Sequence, residues 1–304
     1  MTFRRALIIS LFLFIASNAF GQVKTIRDQS APVSPGSTAK YSDLLKLVFT
    51  DLSDEDGSAH QTIPIRHVSG DHERNPLHGD FKLDSFEVLS LRDREGPLVV
   101  LEIDITTDDD SRSTNYGADS SIVAAFRISP SVKLLDAIDV KMDLFTGIRE
   151  KPSVIRIGPD QSAILISNGH SNSNQSYELI SALFLRNQRF QPLFTAPSKR
   201  PGGRPEASEL FLLSDHGFDD KTRCEVSTEQ TVEFLPTPQA GKPYSKVGVR
   251  IRVIRTATGD ECKVRRHRST YYRGAWQWDD SAKRFSPAPG GTLDAFDKLN
   301  GSRM

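Results

Sequence analysis

The sequence has no net charge, only two cysteines and few long runs of apolar residues. Its 39 Lys and Arg residues balance its 39 Asp and Glu residues, which excludes a generally basic protein that coats nucleic acid. Beyond residue 16, no stretch approaches the roughly 20 apolar residues of a membrane-spanning helix. We therefore expect no nucleic acid partner and no transmembrane segment in the mature chain.

The first 21 residues have the three parts of a secretory signal peptide. Arg4 and Arg5 form a basic region, residues 6–16 form a short apolar run, and the small residues Ala19 and Gly21 favour cleavage after Gly21, with cleavage after Ala19 as the alternative. The apolar run is about half the length of a spanning helix, and no Cys near the cleavage site offers a lipid attachment point. These features predict a periplasmic or secreted protein.

The two cysteines, Cys224 and Cys262, lie in similar, strand-like sequence. In an exported chain such a pair is expected to form a disulfide. The alternative, a catalytic thiol, needs a partnering base that the surrounding sequence does not show.

Strand signals dominate the chain after its first 85 residues. They fall into groups of four, over residues 86–138, 153–194 and 231–285, and in the first two groups the order is strand, tight turn, strand, polar loop, strand, tight turn, strand. Residues 41–52 have helical spacing of apolar residues instead. We predict a mainly β protein of antiparallel four-stranded units, propeller-like or a β-sandwich, with one short N-terminal helix.

Composition divides the predicted mature chain into five segments. Residues 22–40, rich in Ser, Pro and Gly, are predicted to be a flexible lead-in. Residues 41–195 form an acidic β-rich module, and the Pro- and Gly-rich residues 196–206 form a linker or exposed loop. A basic β-rich module with the disulfide follows over residues 207–290, and residues 291–304 form a C-terminal tail.

Two turns resemble a known family of exported proteins. Residues 91–100 (Leu-Arg-Asp-Arg-Glu-Gly-Pro-Leu-Val-Val) and 157–166 (Ile-Gly-Pro-Asp-Gln-Ser-Ala-Ile-Leu-Ile) are similar to degenerate FG-GAP or VCBS-type repeats, which place an acidic, Gly-bearing turn before an apolar strand. The resemblance implies an extracytoplasmic, propeller-like β fold. The dense Asp-x-Asp-Gly-Asp-Gly calcium loop of that family is absent, so calcium binding is not implied.

Charge is unevenly distributed. Residues 43–119 contain 7 basic and 18 acidic residues, a net charge of 7 − 18 = −11, whereas residues 246–273 contain 9 basic and 2 acidic residues, a net charge of 9 − 2 = +7. Alternation along the predicted strand points its valines and isoleucine toward a core and Arg250 and Arg252 outward.

The predicted ligand-binding set lies in this basic segment and consists of Arg250, Arg252, Arg265, Arg268 and Tyr272. Arginines beside aromatic residues can bind phosphate, sulfate or carboxylate groups, so the candidate partners are an anionic glycan, a lipid head group or an acidic protein surface. The alternative is a solvated sheet edge, or a surface that meets the acidic half of the same chain.

Other motifs are weaker. Ser171, in Gly-His-Ser-Asn-Ser, lacks the closing glycine and the βαβ context of a nucleophile elbow. Four clustered histidines, His60, His67, His72 and His78, match no helical zinc spacing, and the acidic residues within 108–119 lack the EF-hand order. Trp276 and Trp278 are interpreted as core rather than as a platform for sugars. We predict no cofactor and no metal.

These patterns favour an extracytoplasmic, non-catalytic binding or envelope-associated protein whose basic hairpin meets an anionic partner. The alternative is a secreted hydrolase, with or without a bound metal ion, that acts through residues 60–80 or 108–120.

Overall fold

A computed structural model describes residues 22–301 of the chain, except residues 54, 69–72, 75–80, 84–85, 108–119, 144, 172–174 and 197–205. The predicted signal peptide, His72, His78, the acidic loop 108–119 and most of the predicted linker 196–206 lie outside the described residues.

Nine described strands form the first sheet. They are β1 (Val23–Ile26), β2 (Ser58–Ala59), β3 (Ile65–His67), β4 (Glu73–Arg74), β5 (Phe81–Lys82), β6 (Phe86–Asp93), β7 (Gly96–Thr107), β8 (Ser120–Arg127) and β9 (Lys133–Asp139). Their order is β1-β6-β7-β8-β9-β3-β4, and β5 pairs with both β2 and β7. All these pairs are antiparallel except β3 with β9.

Ten described strands form the second sheet, and two more pair separately. The sheet contains β10 (Phe145–Ile148), β11 (Val154–Gly158), β12 (Gln161–Ser171), β13 (Gln175–Arg186), β14 (Arg189–Pro192), β17 (Leu210–Asp219), β18 (Cys224–Thr237), β19 (Lys246–Thr258), β20 (Arg266–Asp279) and β21 (Arg284–Pro287). The order is β10-β12-β13-β17-β18-β19-β20-β21, with β11 on β12 and β14 on β13, while β15 (Thr195–Ala196) pairs with β16 (Glu206–Ala207).

The two sheets pack face to face through a shared apolar layer. Leu89 and Val100 of the first sheet belong to the same buried cluster as Ile164 and Ile166 of the second. A second cluster covers the other face of the first sheet, and a third fills the inner face of the curled second sheet. The prediction of a mainly β, antiparallel protein is confirmed, and the face-to-face sheets correspond to its sandwich alternative.

The four-stranded groups do not form separate units. Strands of the second and third groups join in one sheet, because β17 pairs with β13 on one side and with β18 on the other. The sequence segment that bridges them, residues 196–206, therefore does not separate two sheets. Strand β17 supplies that connection, and the sequence grouping left it unassigned.

The ends of the chain differ from the prediction. The lead-in 22–40 contains β1, whose Val23 and Ile26 pack against two different apolar clusters while the strand pairs with β6. The N-terminal helix α1 (Tyr41–Leu45) is shorter than the predicted residues 41–52. The predicted tail contains a second helix, α2 (Leu293–Gly301). Neither helix is long and apolar enough to cross a bilayer.

The predicted disulfide is confirmed. Cys224 begins β18 and Cys262 lies in the loop between β19 and β20, with 4.3 Å between their Cα atoms. The bond joins residues 38 positions apart. It therefore ties the β19–β20 loop to the start of β18.

Helix α2 completes the core on the inner face of the second sheet. Phe296 is fully buried there, and its ring lies 5.4 Å from that of Tyr272. The buried side chain of Asn300 receives a hydrogen bond from Gln230 Nε2 (2.8 Å) and donates one to the Phe211 carbonyl oxygen (2.7 Å). These contacts make the helix part of the fold rather than a tail.

Replacing Phe296 by Ala should lower the free energy of unfolding by about 3 to 5 kcal/mol, because it leaves a cavity in a packed core. Chemical denaturation measures the change. Phe218→Ala is the matched control: Phe218 is 58% exposed, so its replacement should cost within about 0.5 kcal/mol. Equal effects of the two substitutions would contradict the docked position of α2.

Candidate functional site

The predicted basic hairpin is part of a three-stranded segment of the second sheet, which we call the basic ribbon: β18, β19 and β20. Val247, Val249, Ile251 and Val253 are buried on its inner face. Arg250 and Arg252 lie between them in sequence and therefore point to the opposite, outer face. The predicted alternation is confirmed.

The outer face of the basic ribbon gathers three arginines. Arg250 lies directly opposite Arg273, and Arg252 lies directly opposite Tyr271. Glu233 is the neighbour of Arg250 on the other side. Together these side chains line an open cavity of about 430 Å³.

Among the described residues, one carboxylate forms a salt bridge with one of these three cations. Arg250 donates from Nε to Glu233 Oε2 at 2.9 Å, and its Nη2 contacts the same oxygen. Arg252 donates from Nη2 to Ser269 Oγ at 3.2 Å. No acidic side chain among the described residues forms a salt bridge with Arg252 or Arg273. The outer face therefore carries unneutralised positive charge.

Tyr271 supplies an exposed ring among these arginines. Its side chain is 52% exposed and lines the same cavity. An exposed aromatic ring offers an apolar surface with a polar hydroxyl at one end. The outer face thus combines guanidinium groups with a flat aromatic surface.

The five predicted ligand-binding residues do not share one face. Arg250 and Arg252 are on the outer face, whereas Arg268 lies opposite Arg255 on the inner side. Tyr272 packs against Phe296 in the core. Arg265 precedes β20 and donates from Nη2 to the Gly259 carbonyl oxygen at 3.3 Å.

The predicted ligand-binding set omitted Tyr271 and Arg273, although both lie in the basic segment. Both residues are identified by the cross-strand register, because Arg250 pairs with Arg273 only in one alignment of β19 with β20. That alignment depends on where the loop between the two strands begins and ends, and the sequence pattern did not specify those residues.

Within the described parts of the chain, the basic ribbon forms no ion pair with the acidic half. Among the described residues, no salt bridge joins residues 246–273 to residues 43–119. Arg250 uses Glu233 of its own sheet instead. The described part of the acidic half therefore supplies no ion-pair partner for these arginines.

A second cavity lies where the two sheets meet, and we call it the carboxylate cleft. Its volume is about 640 Å³. Glu102 and Asp104 alternate along β7 and so share one face, and Glu87 of β6 lies directly opposite Glu102. Sequence reasoning missed this site, although two acidic residues at alternate positions in an apolar strand were a usable signal.

Glu102 is held inside the cleft wall. Its side chain is only 4% exposed, and Ser121 Oγ donates to its Oε1 at 2.5 Å. Its Oε2 lies 3.8 Å from where a Cβ on Gly147 would stand. Strand β10 therefore passes close to this carboxyl group at Gly147.

Burial and neighbouring charge raise the pKa values of carboxyl groups in the cleft. Burial raises the pKa of Glu102 well above its usual value, and the negative charge of Asp104 acts in the same direction. Burial also raises the pKa of Asp104, against hydrogen bonds from Ser121 and Glu102 that lower it. The pKa of Glu87 is raised by burial and by Asp104 and Glu150. Glu102 is therefore the carboxyl group that keeps its proton most strongly.

The remaining walls of the cleft supply cations and an aromatic ring. Arg149 Nε donates to Glu178 Oε1 at 2.9 Å, and Ser167 Oγ donates to the same oxygen at 2.8 Å. Lys141 lines the cleft and attracts Asp104. Phe145, 56% exposed, also lines it.

The other sequence candidates do not form a site in the described residues. Ser171 and His170 point to opposite faces of β12, so they do not make a nucleophile and base pair. His170 Nδ1 lies 3.8 Å from Asp143 Oδ1. The hydroxyl of Tyr177 donates to Asp143, which raises the pKa of Tyr177 to about 12.

The histidines and tryptophans are placed separately. His67 Nε2 bonds to the carbonyl oxygen of Lys141 at 2.8 Å, and within the part of the chain that the structure describes no three His, Cys, Asp or Glu side chains are arranged to hold a metal ion. Trp276 and Trp278 are buried in the core of the second sheet. Their interpretation as core residues is confirmed.

Replacing Glu102 by Gln should change the dependence of stability on pH. A carboxyl group with a raised pKa binds more protons in the native state than in the unfolded state, so the wild type loses stability as pH rises through the raised pKa. The neutral Gln has no charge to bury, and we expect the variant to gain relative to the wild type by about 1.4 kcal/mol for each unit by which the pKa is raised.

Urea denaturation at about pH 5 and about pH 8 measures this effect. Glu229→Gln, at an exposed position on β18, is the control and should leave the pH dependence of the wild type unchanged. The same pH dependence in Glu102→Gln as in the wild type would contradict a raised pKa at Glu102.

Both segments that resemble FG-GAP or VCBS-type repeats form tight hairpins. Residues 91–100 span the β6–β7 turn, and residues 157–166 span the β11–β12 turn. No known family model matches the chain, and neither the curated proteins nor the solved structures contain a match. The resemblance therefore stays a prediction, and the geometry of the two cavities supports the functional proposals.

Proposed function

We propose that this protein is an exported, non-catalytic binding protein of the cell envelope or its surroundings, and that the outer face of its basic ribbon binds anionic groups of its partner. The observation that carries the proposal is the cross-strand pair of Arg250 and Arg273 with Arg252 beside it. Sulfate, phosphate and carboxylate groups are the chemistry that such a surface recognises.

Like charges directly opposite each other on a sheet are destabilising. Arg250 and Arg273 occupy such positions, and one carboxylate, that of Glu233, lies beside them. An anion between the guanidinium groups would remove the repulsion and form charge-assisted hydrogen bonds with both. The arrangement therefore favours binding over a purely solvated surface.

The disulfide supports the proposed compartment. Such bonds persist in oxidising environments outside the cytoplasm, and Cys224 and Cys262 form one here. Together with the predicted signal peptide, this favours a periplasmic or secreted location.

The double variant Arg250→Gln/Arg252→Gln should bind a heparin tetrasaccharide at least about tenfold more weakly than the wild type, because it loses two charge-assisted contacts. Isothermal titration calorimetry at low ionic strength measures the affinity. Gln keeps most of the side-chain stem, so the melting temperature should change little.

Arg94→Gln/Arg189→Gln is the matched control. It removes the same charge from two exposed arginines outside the basic ribbon, so it should retain wild-type affinity. Unchanged affinity in the Arg250→Gln/Arg252→Gln variant would refute the proposed role of the outer face.

A second candidate function is hydrolysis in the carboxylate cleft, and the paired side chains of Glu102 and Asp104 favour it. A buried, protonated carboxyl group beside an ionised one is the arrangement that general acid catalysis needs. In this role Glu102 would donate a proton to a leaving group, and Asp104 at the exposed mouth would act as the base or stabilise positive charge. Glycosides are the substrate class that such carboxyl pairs commonly cleave.

Chromogenic glycosides test this second function. If the cleft is catalytic, Glu102→Gln should lower kcat by about 10²- to 10⁴-fold, since a general acid contributes that much, and Glu229→Gln should retain activity. Failure of the wild-type protein to cleave any glycoside in the panel would exclude the candidate.

A further inference from the structure

A second pair of directly opposed arginines lies on the inner face of the basic ribbon. Arg255 of β19 and Arg268 of β20 are cross-strand partners, and Arg266 lies two residues from Arg268 on the same face. All three are exposed. They begin where the buried row of the inner face ends at Val253.

These three arginines, which we call the inner arginines, line a cavity of about 480 Å³. No described acidic residue forms a salt bridge with any of them. Asp215 lines the same cavity but is separated from Arg255 by Thr228 of the strand between them. Thr256 and His216 add polar groups to the lining.

The two arginine clusters lie on opposite faces of one ribbon and close together along it. Arg255 lies five positions after Arg250, which corresponds to about 17 Å along a strand. The disulfide ties the start of β18 to the loop between β19 and β20 at the same end of the ribbon as the inner arginines. Both clusters are thus held in a fixed relation before any ligand binds.

The free edge of β20, which is the edge that does not pair with β19, leaves a path between the two faces of the basic ribbon. Strand β21 pairs only with Trp276–Asp279 of β20, and the segment before α2 bonds to Arg273 and Ala275. From Arg266 to Tyr272, no described strand pairs with this edge. A flexible chain can therefore pass around the edge from the outer arginines to the inner arginines.

We propose that the outer face and the inner arginines together bind one linear polyanionic glycan, which crosses the free edge of β20. This inference rests on the proposed anion-binding function and names its ligand class. The regular charges of such a polymer suit two cationic clusters that lie on opposite faces and are offset by about 17 Å along the ribbon, and the exposed ring of Tyr271 offers a surface for the apolar face of a sugar ring.

Bivalent attachment predicts a dependence on ligand length. A short oligosaccharide reaches one cluster, whereas a longer one reaches both, and linking two sites raises affinity by about 10²- to 10⁴-fold over either alone. We expect the wild type to bind a heparin dodecasaccharide at least about tenfold more tightly than a heparin tetrasaccharide, after correction for the number of binding registers on the longer chain.

The variant Arg255→Gln/Arg268→Gln tests the inference. It retains the outer face, so it should still bind the tetrasaccharide, and it should lose the advantage of the dodecasaccharide. Its melting temperature should be equal or higher, because an opposed pair of like charges is removed. Arg94→Gln/Arg189→Gln again controls for total charge and should keep the length dependence.

Each outcome separates this inference from the function on which it rests. If the wild type binds neither oligosaccharide, the proposed anion-binding function fails. If it binds the tetrasaccharide and Arg255→Gln/Arg268→Gln keeps the full length dependence, the two-face inference fails alone. Tighter binding of a single-stranded DNA oligonucleotide of equal charge would overturn the choice of a glycan. Aggregation of the variant with unchanged affinity would assign the inner arginines to protection of the sheet edge.

Discussion

Alternation of side chains along antiparallel strands is the constraint on which both candidate sites depend. On β19 it separates the buried Val253 from the outer Arg252, although the two are adjacent in sequence. On β7 the same rule brings Glu102 and Asp104 to one face, with Glu87 across from Glu102. A shift of register by one residue would bury the arginines and expose the valines, so the apolar core also fixes where the charges lie.

The carboxylate cleft and the cavity of the inner arginines both begin where an apolar layer ends. The layer between the sheets includes Val100, and two residues farther along β7 the same face carries Glu102. On β19 the inner row of apolar residues includes Val253, and two residues farther along the same face carries Arg255. The physical difference is solvent access: Glu102 is enclosed, which raises its pKa, whereas Arg255 is exposed to water.

The sequence was sufficient for local features and insufficient for those that depend on distant pairing. Strand periodicity predicted β6 to β9, the four consecutive strands in the middle of the first sheet, and similar context predicted the Cys224–Cys262 bond. Helix α2 was missed because its buried residue, Phe296, needs the inner face of the second sheet as its partner. The pairing of Arg250 with Arg273 and of Arg255 with Arg268 depends on hairpin register, which no local pattern in the sequence specified.

The bond between Cys224 and Cys262 has a consequence for the compartment in which the proposed polyanion site can form. It fastens the end of the ribbon that carries Arg255, Arg266 and Arg268. In a reducing cytoplasm that bond does not persist, and the loop between β19 and β20 is then held by weaker contacts. Under the proposed export and polyanion binding, a newly made chain would complete this site only in the oxidising compartment, which would keep it from capturing the abundant nucleic acids of the compartment in which it is synthesised.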